Sequence, residues 1–206
     1  MPIVRRLFLL CALCVLAAGC GSAASKVEAP PATTTNASGL EGSAITPPDR
    51  AQPIALHDAH GRALTLAGQR GRWTLVTFLY THCPDVCPLI ASNLNTVLRV
   101  RGPKAKLSVL AVSVDPKGDT PTAVRAYERR MHLAPNFHYL VGTKAQLQPV
   151  WAAWHVLAVR SDPRLVDHVS YVALIDPQGR RRVLYDSQVQ AQQVLHDLRV
   201  LERRPA

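Results

Sequence analysis

Trp73-Thr74-Leu75-Val76-Thr77-Phe78-Leu79-Tyr80 runs directly into Thr81-His82-Cys83-Pro84-Asp85-Val86-Cys87-Pro88, and this stretch decides how the chain folds. Its first half is an apolar run of strand length, rich in β-branched and aromatic side chains, which predicts a buried strand. After it, Ile90, Leu94, Val97 and Leu98 recur at helical spacing and predict a helix over Leu89 to Val100. Cys83 and Cys87 therefore stand at a strand-to-helix junction, at the mouth of the helix. Unpaired backbone N–H groups and the helix dipole favour thiolates there. A dithiol so placed is a redox pair or a soft-metal site.

Strand and helix patterns alternate outward from this junction. Ile54 to Leu56 and Ala63 to Leu66 flank Asp58-Ala59-His60-Gly61, a hairpin signal. Leu107 to Val114 reads as a second buried strand. Thr120-Pro121 opens a helix as cap and first residue, with Val124, Tyr127 and Met131 inward. Phe137 to Val141 is a short strand. A helical segment then passes through Trp151 and Trp154, both expected in the core, with Pro149 as a kink or late start. Val169 to Ile175 and Arg182 to Tyr185 form a hairpin around Asp176-Pro177-Gln178-Gly179. Val189 to Leu201 closes the chain as a helix with Val194, Leu195, Leu198 and Leu201 inward and His196 outward. The order predicts an α/β fold with a mixed central sheet, flanking helices and an N-terminal hairpin. A dithiol at the end of the first buried central strand resembles the thioredoxin-like arrangement.

The N-terminus reads as an address rather than as fold. Arg5 and Arg6 precede an unbroken apolar stretch, Leu7 to Ala18, which is too short to span a bilayer and fits a signal peptide. It ends in Leu16-Ala17-Ala18-Gly19-Cys20, similar to a bacterial lipoprotein cleavage box, although Ala17 stands where leucine is usual. The expectation is a signal over 1–19, a lipidated Cys20 and a membrane-anchored, extracytoplasmic protein. An ordinary secretory signal cleaved near Gly19 is the alternative. Ser22 to Pro48 is rich in Ala, Ser, Thr, Pro and Gly, so 20–48 is expected to be a flexible tether and 49–206 the folded domain. Cys11 and Cys14 leave with the signal, so Cys83 and Cys87 are the only cysteines of that domain.

The formal charge is +10, and +8 without residues 1–19. In sequence these charges are dispersed, at Arg99/Arg101, Arg129/Arg130, Arg180 to Arg182 and Arg203/Arg204. No aromatic-interleaved basic motif accompanies them, which argues against nucleic acid and for a soluble surface drawn to anionic lipid or acidic partners.

Three residues separate the cysteines. Helical residues four apart have Cβ atoms roughly 5–6 Å apart, whereas a disulfide needs about 3.5–4.5 Å. The pair closes only if the segment departs from an ideal helix, and Pro84 and Pro88 are expected to supply that departure. Two thiolates presented to one ligand suit Cu(I), and an added imidazole suits Cu(II). Structural zinc wants four protein ligands and fits less well. Two of the eight histidines stand out. His82 abuts Cys83 and is expected to orient it, and His168 precedes the late buried strand, whose start should lie near the dithiol loop. Asp85 reads as a loop residue that helps start the helix, or as a tuner of thiolate charge.

Three motifs then resemble one family: Phe78 to Pro88, Val112 to Pro116 with Asp119-Thr120-Pro121, and Asp167-His168 followed by Tyr171 to Gly179. In this order they are similar to the Sco/SenC family of copper-binding, thioredoxin-like cytochrome c oxidase assembly proteins. The resemblance covers Pro53 to about Leu201. It implies that Cys83, Cys87 and His168 bind copper, with Asp115 and Asp167 supporting them. It also implies delivery to the binuclear copper centre of cytochrome c oxidase subunit II, or to another cuproprotein, at the outer face of a respiratory membrane. Leu79 stands where the family often has glycine, and Val169 where it often has a small hydroxyl residue.

The alternative is a thiol–disulfide oxidoreductase that keeps a partner's copper-ligand cysteines reduced, with Cys83 and Cys87 as its redox pair. A peroxidase fits less well, because Tyr80 occupies the position where peroxiredoxins carry threonine. A plain structural disulfide between Cys83 and Cys87 leaves the histidine motif unexplained.

Overall fold

A computed structural model describes residues 38–162, 165–168 and 170–203. The predicted signal, Cys20 and the first part of the tether lie outside these residues. Ten strands and four helices are described: β1 (Ser43–Arg50), β2 (Ala55–Asp58), β3 (Ala63–Thr65), β4 (Trp73–Leu79), α1 (Val86–Arg101), β5 (Leu107–Ser113), α2 (Pro121–Arg130), β6 (Phe137–Val141), α3 (Lys144–Ala153), β7 (Ala158–Asp162), β8 (Leu165–His168), β9 (Val172–Ile175), β10 (Arg180–Tyr185) and α4 (Ala191–Glu202). Eight strands form one sheet in the order β1-β10-β9-β4-β5-β6-β2-β3, and β7 pairs with β8 separately. The sheet is mixed, as expected. β4, β5 and β6 are parallel, and β9 runs antiparallel against β4.

Every residue of β4 and β5 is buried. This explains their continuous apolar runs, since a central parallel strand is covered on both faces. α1 buries Ile90, Leu94, Val97 and Leu98 as predicted. It packs beside α4, and its Asn95 ties it to the end of α2 through His132 O and Ala134 N. Thr120 caps α2 by accepting from the Ala123 N–H, with Pro121 at the first turn.

Several expectations need correction. α1 starts at Val86, three residues before the predicted Leu89. Pro88 sits in its first turn, where the missing N–H has no intrahelical partner to lose, so it does not break the helix. α3 runs through Pro149 behind a Thr143–Gln146 capping box, so the proline is not a late start. β9 begins at Val172 rather than Val169, and His168 instead closes β8. In α4, Leu195 is only partly buried, whereas Asp197 is fully buried.

The tether also ends earlier than composition suggests. Residues 43–48 are strand, paired with β10 from Ser43↔Leu184 to Arg50↔Arg180. Backbone hydrogen bonds do what apolar side chains could not. Asp197 accepts the Glu41 and Gly42 N–H groups at 2.8 and 3.0 Å and the Tyr185 hydroxyl at 2.9 Å. Gly42 is required by this close approach, because a Cβ there would lie 2.3 Å from Val183 Cγ1.

Because β4 and β5 are each followed by a helix that returns to the start of the next parallel strand, the sheet has two chemically distinct ends. β4 and β5 finish at one, beside the start of α1, with the cysteines. The other collects the strand starts of β4, β5 and β6 and the C-termini of α1, α2 and α4.

Candidate metal and redox centre

β4 delivers the loop Tyr80 to Asp85 to the sheet end, and α1 begins beneath it. The Cys83 N–H donates to Tyr80 O at 3.3 Å, which tightens the turn. Cys83 stays partly exposed and Cys87, in the first turn of α1, is fully buried. Both are free thiols, so this is the open dithiol form rather than the disulfide. The Cys87 N–H donates to Cys83 Sγ at 3.4 Å, and the Asp85 amide and the Tyr80 hydroxyl also hydrogen-bond that sulfur. The two amides are orphan donors of a helix start, aimed at one thiolate.

The electrostatics follow. The Cys87 thiol donates to Cys83 and, with the Asp85 and Cys87 amides, holds Cys83 down at about 5 against the cost of its partial burial. Cys87 is pushed up, first by holding the proton it shares with Cys83 and then by burial. One sulfur is therefore the anion and its neighbour the proton donor.

Asp85 occupies the N-cap position of α1, but its side chain makes no cap hydrogen bond. Its place there fits the reading of a loop residue that starts the helix, and its backbone amide hydrogen-bonds Cys83. His82 is exposed, with Nδ1 3.1 Å from Thr81 Oγ1. Asp115 is buried and accepts the Lys117 and Gly118 amides at 3.2 and 3.1 Å. The two meet over Gly118, where a Cβ would stand 2.3 Å from Asp115 Oδ2 and 3.2 Å from His82 Nδ1. His82 thus lies against the Asp115 loop.

Two supporting residues escaped the sequence reading. Asp119 is 3% exposed. Its carboxylate accepts the Thr81 N–H and hydroxyl at 2.8 and 2.7 Å, the Ser113 hydroxyl at 2.6 Å and the Tyr139 hydroxyl at 3.1 Å. One buried anion thereby ties the dithiol loop to β5 and β6, and burial pushes its carboxyl up despite these donors. Its signal is Asp119-Thr120-Pro121, which reads as a helix cap and as part of a family motif but gives Asp119 itself no role. Tyr80 is the second. Its buried hydroxyl bonds Cys83 and accepts the Val166 amide, which joins the dithiol loop to β8.

His168 and Asp167 lie on β8, opposite Ala158 and Val159 of β7. Their side chains lie outside the described residues. The backbone of β8 nevertheless reaches the loop through Val166, two residues before His168. The start of β9 is there as well, since Thr77 pairs with Val172 and donates to Tyr171 O at 2.9 Å. Among the described side chains, no group of three or more His, Cys, Asp or Glu converges as a metal site. Cys83 and Cys87 supply two adjacent soft donors.

The SCO1/SenC family model matches residues 43–202. An SCO2-like protein of Rickettsia prowazekii is 28% identical over 150 residues, covering 69% of this chain and 72% of that protein. Another, from Rickettsia conorii, is 32% identical over 61% of this chain and 63% of its own length. The copper-bound structure of Bradyrhizobium japonicum ScoI superposes with a TM-score of 0.63 at 29% identity, covering 75% of this chain and 99% of that one. Copper-bound ScoI of Arabidopsis thaliana gives a TM-score of 0.64 at 26% identity, with 74% and 96% covered.

Proposed function

Since the chain belongs to the SCO1/SenC family, we propose that it is a copper metallochaperone whose cargo is held by Cys83, Cys87 and His168. The observation that carries this reading is the ready-made thiolate at Cys83, with Cys87 beside it and the backbone of the His168 strand hydrogen-bonded to the same loop. Two sulfurs suit Cu(I), and an imidazole added to them suits Cu(II). Copper bound to relatives at 29% and 26% identity supports the same cargo.

The client is cytochrome c oxidase subunit II, at its binuclear copper centre, or another cuproprotein. The protein works at the extracytoplasmic face of a membrane, anchored by a lipid on Cys20. In transfer, Cys83 presents its charge at the surface while buried Cys87 gives up its proton as the cargo is taken. Asp167, Asp115 and His82 steady the surrounding loops. Titrating the reduced chain with Cu(I) or Cu(II) tests this. Stoichiometric binding with a thiolate-to-copper charge-transfer band is expected, weakened in His168→Ala. No binding, or binding indifferent to that substitution, overturns it.

The split between the sulfurs also supports a second reading, a thiol–disulfide oxidoreductase. The Cys83 thiolate attacks a partner disulfide and forms a mixed disulfide. Deprotonated Cys87 then displaces the partner, which leaves with two reduced thiols while Cys83 and Cys87 become the disulfide. Reduction of a model disulfide that is lost in Cys83→Ser and kept in His168→Ala favours this activity.

A further inference from the structure

The charges that look scattered along the sequence are gathered by the fold. α1 ends on Arg99 and Arg101, α2 on Arg129 and Arg130, and α4 on Arg199 followed by Arg203. The loops entering β4 and β5 add Arg70, Arg72, Lys104 and Lys106, all exposed. Trp73 N–H donates to Lys106 O, which sets these two loops side by side. Arg50 faces Arg180 where β1 meets β10. All of these lie at the end of the sheet opposite the cysteines.

The acids at this end are already engaged. Asp49 pairs with Arg181, Asp176 with Arg180 and Arg182, Glu202 with Arg101 and Glu128 with His60. Arg72, Lys104, Lys106, Arg129, Arg199 and Arg203 have no carboxylate partner among the described residues. Helix C-termini do favour cations, but that accounts for neither the β4 and β5 loops nor Arg50. At the dithiol end the exposed Asp85 and Asp186 offset Lys117 and Lys144. The domain is therefore charge-polar along its strands.

We propose that this basic end docks on an anionic lipid bilayer and holds the dithiol end away from it. Lipid is favoured over an acidic protein because the cations spread over a whole end of the sheet, contributed by three helices and several loops, while the cleft at this end takes in only Arg50 and Arg70 of them. Val100, 64% exposed between Arg99 and Arg101, adds an apolar side chain suited to the headgroup boundary. Attraction of this kind acts within a Debye length, about 8 Å at physiological salt. It therefore needs the basic end close to the surface, which a membrane anchor provides. The chain between Cys20 and Leu40 reaches at most about 70 Å extended. That is ample for an anchor near the basic end, since β1 crosses the sheet in about 27 Å.

The test uses the full chain with vesicles of phosphatidylcholine, alone or mixed with phosphatidylglycerol, carrying a headgroup spin label. With mixed vesicles, amide signals at Arg72, Lys104 and Lys106 should broaden and those of Thr81 to Cys83 should not. High salt should remove the effect. Each such charge is worth roughly fivefold in binding, so Arg72→Glu/Lys104→Glu/Lys106→Glu, which removes three cations and adds three anions, should lower the docked-to-free ratio by more than about a hundredfold. An unchanged Cys83 titration shows that this variant is folded. Should it not fold, Arg199→Glu/Arg203→Glu on α4 carries the same test. Equal broadening on neutral vesicles, broadening centred on the dithiol loop, or a triple variant that docks like the native chain overturns the proposal. The last two outcomes leave the copper reading untouched, because copper uptake is measured without lipid.

Discussion

The two ends of the sheet treat charge in opposite ways. At the dithiol end, the charges that support the cysteine loop are held in place by hydrogen bonds, with Asp115 and Asp119 buried. Asp119 holds four donors, Asp115 two amides, and the Cys83 thiolate sits among amides, a thiol and a hydroxyl. At the basic end, charge is exposed and mostly unpaired. Burying an ion costs several kcal/mol unless every lone pair is met, so the first arrangement fixes geometry. Exposed cations cost little and fix nothing, which leaves them free for a surface.

That contrast is testable, and the largest effect belongs to the cysteines. Titrated by thiolate absorbance, native Cys83 should ionise near about 5. Cys87→Ala removes the thiol donor and should move it toward the ordinary thiol value of about 8.5. An unmoved midpoint would show that the helix mouth alone sets it. The folded value is depressed, so Cys83 contributes stability above the unfolded thiol's range and loses it as pH falls through about 5.

Asp119→Ala should come next. It strands buried hydroxyl and amide donors and should cost about 3 kcal/mol in urea unfolding of the copper-free protein. Its carboxyl is raised by burial. The stability it contributes is therefore present in acid and lost as pH rises through the folded-state value. Asp119→Asn should gain on the native chain from acid to neutral pH, and a constant gap between the two unfolding midpoints would count against the assignment.

Gly118→Ala forces the Asp115 carboxylate aside and should cost about 1–2 kcal/mol. Combined with Asp115→Ser it should cost less than the sum of the singles, because the clash is gone. Strict additivity in the double-mutant cycle would show that the close approach carries no strain.

Smallest is Arg101→Ala at the basic end. Its pair with Glu202 is partly exposed, so the loss should stay below about 1 kcal/mol. A loss as large as that of Asp119→Ala would erase the distinction between the ends.

Sequence alone determined what depends on neighbours along the chain: β4 from its apolar run, the helix after the cysteines from its period, the Thr120-Pro121 cap, and the dithiol at a helix mouth. It misjudged Pro88, whose effect depends on which backbone group lacks a partner, and it left Pro149 between a kink and a late start. It read 43–48 as tether because those residues bury little, whereas partners far along the chain hold them, Asp197 lying 155 residues from Gly42. Tertiary structure alone decided the rest. Asp119 acquires donors from three separate segments, Tyr80 meets Val166, and scattered arginines become one pole. The physical reason is the alternation of β4 and β5 with α1 and α2, which sends those strand ends to one face and those helix ends, with that of α4, to the other, however far apart they lie in the chain.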